Sequence, residues 1–481
     1  MNRIDYSKKW QVLLAVSFGG LLATVDSSIV NISLPTLEKD LNASFATIQW
    51  VVLAYLLTVT VLLLGIGRLA DISGKKSIFV TGFVVFTLGS LFCGLSSSAG
   101  MLIAFRILQA IGAACLMALG PALLAESFPP EERGSALGIN GLSVSLGIIL
   151  GPTLGGIILA NLGWHWIFFV NVPVGLIAIP VAIRSLPVSE KQRGEVFDFP
   201  GAIALFCGLS SLLFALTISQ EMGFLSLPSV VLFFFFIFCF VLFIRIEKRV
   251  TQPVIELDLF TNKLFSVNLI TGFLTFVASA GTVFLIPFYL QNVLGFDPEM
   301  AGLLMAVFPV MLGIAGPISG WLSDRFGFRL LTVIGLAVLS LSYFNLSRLS
   351  ILTTWQEFIL FYSPIGIGMG LFQSPNNSAI LGAASTRRLG VASGLLAITR
   401  TLGQTSGIAV MGALWTAMVF RQSGYLAEGA TAAPAAFQVS GLHITCLSMG
   451  FLLAFGLVLS LIAWRREARE FAGPISKALA K

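Results

Sequence analysis

Apolar residues run in long blocks along this chain, and the charged residues fall in the gaps between them. The segments 41–67, 77–105, 222–244, 264–296 and 300–323 contain no Asp, Glu, Lys or Arg. Each exceeds the ~20 residues a helix needs to cross a ~30 Å hydrocarbon core. Dividing the blocks at polar, Pro and Gly punctuation predicts fourteen membrane spans: 10–34, 47–69, 77–97, 101–124, 134–160, 164–184, 198–219, 227–246, 264–290, 300–322, 329–347, 353–378, 390–418 and 441–464. The expected fold is therefore an all-α integral membrane protein. An even count of spans puts both termini on one side. The first span carries Asp26 in its middle and is followed by thirteen more, so it is read as a retained helix and not as a cleaved signal.

Composition agrees with this pattern: 57% of residues are hydrophobic and only 10% are charged. Charge then orients the chain. Of the 28 basic residues, twenty-three fall in the segments on the side of the termini, three (Lys39, Arg348, Arg421) fall on the other side, and Arg106 and Arg400 lie within spans. Positive charge accumulates on the cytoplasmic side of membrane proteins, so the expectation is a multi-pass protein of the cell (inner) membrane with both termini cytoplasmic. The net charge of +6 thus reflects topology and gives no reason to expect a nucleic-acid partner. Cys93, Cys115, Cys207, Cys239 and Cys446 all lie in spans, with neither disulfide nor metal spacing. His165 and His443 are far apart in sequence near helix starts and read as interfacial, so no metal site is expected.

The chain also repeats itself. G-R-L-A-D-I-S-G-K-K, Gly67 to Lys76, returns as G-W-L-S-D-R-F-G-F-R, Gly320 to Arg329. Gly138, Gly147 and Gly151 align with Gly394, Gly403 and Gly407 at nearly the same offset. Two matches at one offset indicate duplication of a six-span unit. The expected organisation is a six-helix bundle over 1–190, two inserted helices over 191–262, and a second six-helix bundle over 263–481.

Four further stretches carry a resemblance: Leu22 to Pro35 around Asp26, Leu102 to Ala113 with Arg106, Gln109 and Gly112, G-I-I-L-G-P-T-L-G-G from Gly147 to Gly156, and W-H-W-I-F-F-V-N-V-P-V-G from Trp164 to Gly175. With the duplicated turn, they resemble the major facilitator superfamily, and within it the fourteen-span drug:proton antiporters, over nearly the whole chain. His165 stands where that family usually has Arg, and Ile72 follows Asp71 where Arg is commoner. The resemblance implies two pseudo-symmetric six-helix bundles that rock around a central cavity. It also implies H⁺ as coupling ion with no other cofactor.

Each motif has a physical reading beside this. Gly147, Gly151, Gly155 and Gly156 remove side chains from one helix, and Pro152 removes a backbone donor, so the helix can pack closely and bend. Tight packing alone would explain them; the resemblance associates them with antiport. In the turn, Gly67, Asp71, Gly74, Lys75 and Lys76, Asp71 can face a helix N-terminus while Lys75 or Lys76 pairs with Glu126. The second copy offers Asp324, Arg325 and Arg329. The resemblance implies a conformational latch; a static basic loop is the alternative.

Asp26 and Arg106 are charges inside spans, ~12 Å and ~8 Å from the outer helix ends at 1.5 Å per residue. Such charges face the bundle interior and mark ion or proton paths. Burial and a nearby cation act on the proton affinity of an acid in opposite directions, which makes Asp26 the candidate proton carrier and Arg106 its electrostatic partner; a fixed structural ion pair is the alternative. Arg400 is the other charge well inside a span and suits either an anionic substrate group or a structural role. The cavity is expected to draw on Gln49, Tyr55, Gln109, Phe276, Tyr289, Gln291, Gln373, Asn376, Asn377 and Arg400. Aromatic surface with scattered amides suits lipophilic neutral or monocationic compounds. No phosphate-binding G-x-x-x-x-G-K-[ST] loop occurs, so ATP is not expected as a partner, and hydropathy excludes a soluble enzyme. The expectation is a monomeric multidrug exporter in the lipid bilayer. A lipid, glycolipid or metabolite exporter is the rival on the same fold, and a non-transporting receptor is the rival of another class.

Overall fold

The structure is a computed structural model that describes residues 8–129, 132–187, 198–250, 260–383, 389–423 and 429–479. The side chains of Leu64, Arg68, Asp71, Phe199, Gln220, Glu221, 389–391 and 466–479 lie outside the described set. Among the described residues the regular structure is helical: α1 (Lys9–Asp40), α2 (Phe45–Ser73), α3 (Lys75–Gly94), α4 (Ala99–Ser127), α5 (Arg133–Leu162), α6 (His165–Phe169), α7 (Asn171–Ser185), α8 (Phe199–Met222), α9 (Leu227–Glu247), α10 (Lys263–Phe288), α11 (Pro298–Met305), α12 (Val307–Phe326), α13 (Phe328–Leu346), α14 (Trp355–Gly382), α15 (Leu389–Ser423) and α16 (Ala435–Leu479). Thirteen spans among the described residues are long and apolar enough to cross a membrane. The helix missing from that count is α14, which is 28 residues long. Gln373, Ser374, Asn376 and Asn377 dilute its hydropathy.

Three expected spans are not single smooth helices. The sixth breaks at Val170 between α6 and α7. The ninth winds into a π turn over Tyr289–Val293. The tenth breaks at Ala306 between α11 and α12. The first span also runs past Leu34, through Pro35, to Asp40.

Four helix starts at the less basic end are capped by side chains, because a helix leaves its first amides unpaired. Ser44, Ser98 and Asp297 each accept from the amide three residues on, and Thr354 forms a reciprocal capping box with Glu357. At the basic end the turns are single glycines. Gly74 (φ 97°) joins α2 to α3, and Gly327 (φ 83°) joins α12 to α13. Both backbones are left-handed, where a Cβ is strained, which accounts for glycine at the same place in each repeat.

Helix pairing repeats along the chain. In residues before α8, α1 packs on α5, α2 on α4, α3 on α4 and α3 on α7; after α9, α10 packs on α15, α12 on α14, α13 on α14 and α13 on α16. Small residues bring these helices together. Cβ atoms built on Gly89 or Gly335 would stand 2.6 Å from Gln109 Cα or the Phe372 amide nitrogen. The hairpin α8–α9 sits outside both groups. Its α8 lies against α2 and α15, one helix from each group, with Trp50 stacked on Phe214 at 4.2 Å. Its α9 exposes Phe234, Phe235, Ile237 and Phe238, as a lipid-facing helix does.

The two groups meet at one end only. Gln49 Nε2 donates to the Ile408 carbonyl at 2.6 Å, Gln291 Nε2 to the Ile32 carbonyl at 2.8 Å, and Thr431 Oγ1 to Glu38 Oε1 at 2.5 Å. Phe45 packs among Phe284, Phe288 and Trp415 at centroid distances of 5.4, 5.0 and 5.0 Å. All of these lie at the less basic end. At the basic end, Lys9 pairs with Glu132 at 2.6 Å, Lys75 with Glu126, and Lys76 with the Leu186 carbonyl at 2.8 Å, all within the first group. There Leu142 and Leu146 of α5 are exposed, and Cβ atoms on Gly138, Gly141 and Gly394 would meet nothing within 4 Å. The molecule is closed at one end and open at the other.

Candidate functional site

The interior charge cluster is assembled by five helices. On α1, Thr24 and Ser28 turn back to carbonyls of their own helix, and Ser28 also donates to the Gly147 carbonyl of α5 at 3.1 Å. Asp26 points into the first bundle with no accessible surface. Arg106 and Gln109, one turn apart on α4, converge on it. Arg106 Nη1 donates to Asp26 Oδ2 at 2.5 Å and to Gln109 Oε1 at 2.6 Å, while its Nε donates to the Val51 carbonyl of α2 at 3.2 Å. Gln109 Nε2 donates to Asp26 Oδ1 at 2.7 Å and to Ser90 Oγ of α3 at 2.6 Å. Asn171 Nδ2, at the start of α7, donates to the same Oδ1 at 2.9 Å. The Arg106 guanidinium also lies 4.1 Å from the Tyr55 ring centroid and 5.8 Å from that of Phe168.

Every charge in this cluster is therefore compensated, as burial in low dielectric demands. Its chemistry is asymmetric. The guanidinium can only donate and keeps its charge, whereas the amides of Gln109 and Asn171 can rotate to present either a donor or an acceptor. The surroundings can thus hydrogen-bond Asp26 as a carboxylate or as an acid.

The sequence reading paired Asp26 with Arg106 by depth, and the structure joins them. It passed over Asn171, Ser90 and Phe168. A lone amide beside Pro173 in an otherwise apolar span was the available signal for Asn171. Two expected cavity residues belong here instead: Gln109 bridges the cluster, and Tyr55 covers Arg106.

Other expected cavity residues are also placed differently. Gln49 and Gln291 form the contacts that close the less basic end. Tyr289 Oη donates to the Ser350 carbonyl at 2.7 Å within the second group. Phe276 is buried beside Gly403 in the seam between α10 and α15. These four were chosen by helix membership, and helical rotation and depth put them in contacts. Gln373, Asn377 and Arg400 are half-buried, and Asn376 is buried. Arg400 makes no hydrogen bond or ion pair with the described residues.

The glycine motif divides between two tasks. Gly147, Gly151 and Gly155 lie along α1, where added Cβ atoms would meet Thr24, Ser28 and Ile29. Gly156 and the Pro152 carbonyl instead face Gly302 and Pro298 of α11, across the two groups. In the basic turns, Lys75 pairs with Glu126, and Lys76 caps α7 through Leu186. The Asp71 side chain lies outside the described residues. In the second copy Asp324 and Arg325 are exposed, and Arg325 lies over Trp321 at 4.7 Å. His165 stacks on Trp164 at 3.7 Å, and no group of metal-ligating side chains occurs among the described residues.

A helical bundle of this size, with a compensated charge cluster inside the lipid-spanning part and an opening between two similarly paired helix groups, defines a membrane transporter. The chain matches the Major Facilitator Superfamily over residues 16–408 and belongs to that family. It is 36% identical to the riboflavin transporter RibZ of Clostridioides difficile over 84% of this chain and 87% of that protein. It is 30% identical to the multidrug resistance protein Stp of Mycobacterium tuberculosis over 84% of this chain and 75% of that protein. Among solved structures, a bacterial homologue of the human lysosomal transporter Spinster, in an inward-facing and unoccupied conformation, superposes with a TM-score of 0.68. The two are 18% identical over 96% of this chain and 98% of that one, a likeness of fold.

Proposed function

We propose that this transporter exports lipophilic compounds in exchange for protons, by alternating access between its two helix groups. The observation that carries this reading is the Asp26 cluster: a fully buried carboxylate held at once by one permanent cation and two reversible amides. An intramembrane acid without access to water in one conformation, and surrounded by groups that suit both of its protonation states, is what coupling to H⁺ requires. The open end is the cytoplasmic one on the charge distribution, so this is the form that would take cargo from the cytoplasm or inner leaflet of the cell membrane. Opening the other end breaks the contacts of Gln49, Gln291, Glu38 and Gly156. That motion tilts α1 and α5 and gives Asp26 its exit to water. The resemblance to fourteen-span drug:proton antiporters and the relatives named for multidrug resistance support the direction of transport.

Metabolite export is the second reading, favoured by the relative named as a riboflavin transporter. Both readings share the coupling test. In reconstituted vesicles, substrate-induced proton release should fall at least a hundredfold in Asp26→Asn at equal protein abundance. Wild-type release preserved in that variant would refute proton coupling at Asp26, and no proton movement in either form would favour a receptor.

A further inference from the structure

The second helix group contains an interior cation that makes no hydrogen bond or ion pair with the described residues. Arg400 lies eleven residues into α15, roughly 16 Å from its start at 1.5 Å per residue. From Leu395 to Phe420 no residue of α15 is fully exposed, so the helix is enclosed on all sides and Arg400 does not face lipid. It lies eight residues before Ile408 and twelve before Gly412, where α15 meets Gln49 of the first group. Close by is a second unsatisfied group. Asn376 of α14 is 2% exposed and its Oδ1 has no partner. A Cβ on Gly272 of α10 would stand 3.2 Å from Asn376 Nδ2 and 3.9 Å from Thr399 Cγ2, so three helices converge one residue before Arg400. On the same stretch of α14, Gln373 and Asn377 are half-buried without hydrogen bonds to the described residues.

We infer that Arg400, with Asn376, is the cargo-recognition site, and that it selects compounds bearing a carboxylate or a comparable planar pair of oxygens on an apolar body. A half-buried guanidinium whose donors are unused by the described residues offers them to an incoming ligand, and its fork matches two coplanar oxygens. The Asn376 Oδ1 would take an adjacent hydroxyl or N–H of the cargo. A cationic cargo would meet uncompensated positive charge at short range in low dielectric. This narrows the neutral or monocationic cargo expected from aromatic composition and rules out its cationic part. The inference rests on the transport reading, but its test needs no proton gradient.

Binding is measured on the full chain in phosphatidylcholine nanodiscs, with empty discs subtracted, using three probes that share one apolar body: pyrenebutyrate, pyrenebutanol and pyrenebutylammonium. Wild type should bind the butyrate at least tenfold more tightly than the ammonium, with the alcohol between. Arg400→Gln should lose at least tenfold in butyrate affinity and close the gap, and Arg400→Lys should keep the order at lower affinity. Because binding is read without a proton gradient, a failure of coupling at Asp26 is not mistaken for a failure of this site. Equal or tighter ammonium binding in wild type would overturn the inference, as would an equal loss of all three probes in Arg400→Gln. If Arg400→Gln does not fold, the wild-type order and Arg400→Lys decide the matter.

Discussion

The two interior arginines of this transporter live under opposite conditions. Arg106 of α4 is 1% exposed and has an anion, an amide oxygen, a backbone carbonyl and an aromatic ring around it. Arg400 of α15 has none of these among the described residues. Both groups share the same helix pairing, but the first filled its interior with compensating charge while the second left Arg400 and the Asn376 Oδ1 without partners among the described residues. Compensation suits a group whose partner changes protonation state; vacancy suits a group whose partner arrives from outside. On the proposed reading, one fold repeated twice separates energy coupling from recognition.

The largest expected effect breaks this comparison if it fails. Arg106→Ala leaves Asp26 buried without its cation and should lower stability by about 3–5 kcal/mol, whereas Arg400→Ala should change it by less than about 1 kcal/mol. Thermal unfolding in detergent, followed by tryptophan fluorescence, measures both; equal losses would mean that Arg400 is structurally paired.

The amides sharpen it at a smaller scale. Asn171→Leu removes a donor to Asp26 and should cost about 1–3 kcal/mol, while Asn376→Leu, whose Oδ1 has no partner to lose, should be neutral or stabilising by the same assay. A cost for Asn376→Leu as large as that for Asn171→Leu would contradict the vacancy.

The smallest effect concerns the seam that holds the groups together. Gln49→Ala removes a hydrogen bond to Ile408 that exists only while the less basic end is closed. It should shift the population toward the form open at that end by about 0.5–1.5 kcal/mol. Labelling of a cysteine placed at Thr431 by a membrane-impermeant thiol reagent should speed up accordingly. No change would mean that the aromatic cluster around Phe45 closes that end alone.

Much of the architecture was legible along the chain. Fourteen apolar blocks and their alternating basic gaps reflect partition between lipid and water, a property of each segment by itself. The broken sixth and tenth spans did carry a signal, Pro173 and Pro309, each three residues after the break and lacking the amide that would bond to Phe169 or Met305. Asp26 and Arg106 were visible because charge in an apolar block is rare. Asn171 stood out as a lone amide in an apolar span, but its partner was not legible, because it lies 145 residues from the carboxylate it serves.

The same division explains what went astray in the cavity. Gln49, Gln291 and Tyr289 sit on cavity-lining helices, yet rotation and depth put the two glutamines in closing contacts and Tyr289 in a contact within its own group, and neither rotation nor depth can be counted off a sequence without knowing where helices cross. The sequence by itself determined the solvent of each segment, the duplication and the rarity of its interior charges, because these depend only on local composition and spacing. Only the tertiary structure decided which charge is paired, which is left open and at which end the halves touch. Those outcomes depend on distances between helices far apart in the chain, where differences of an ångström separate a hydrogen bond from a vacancy.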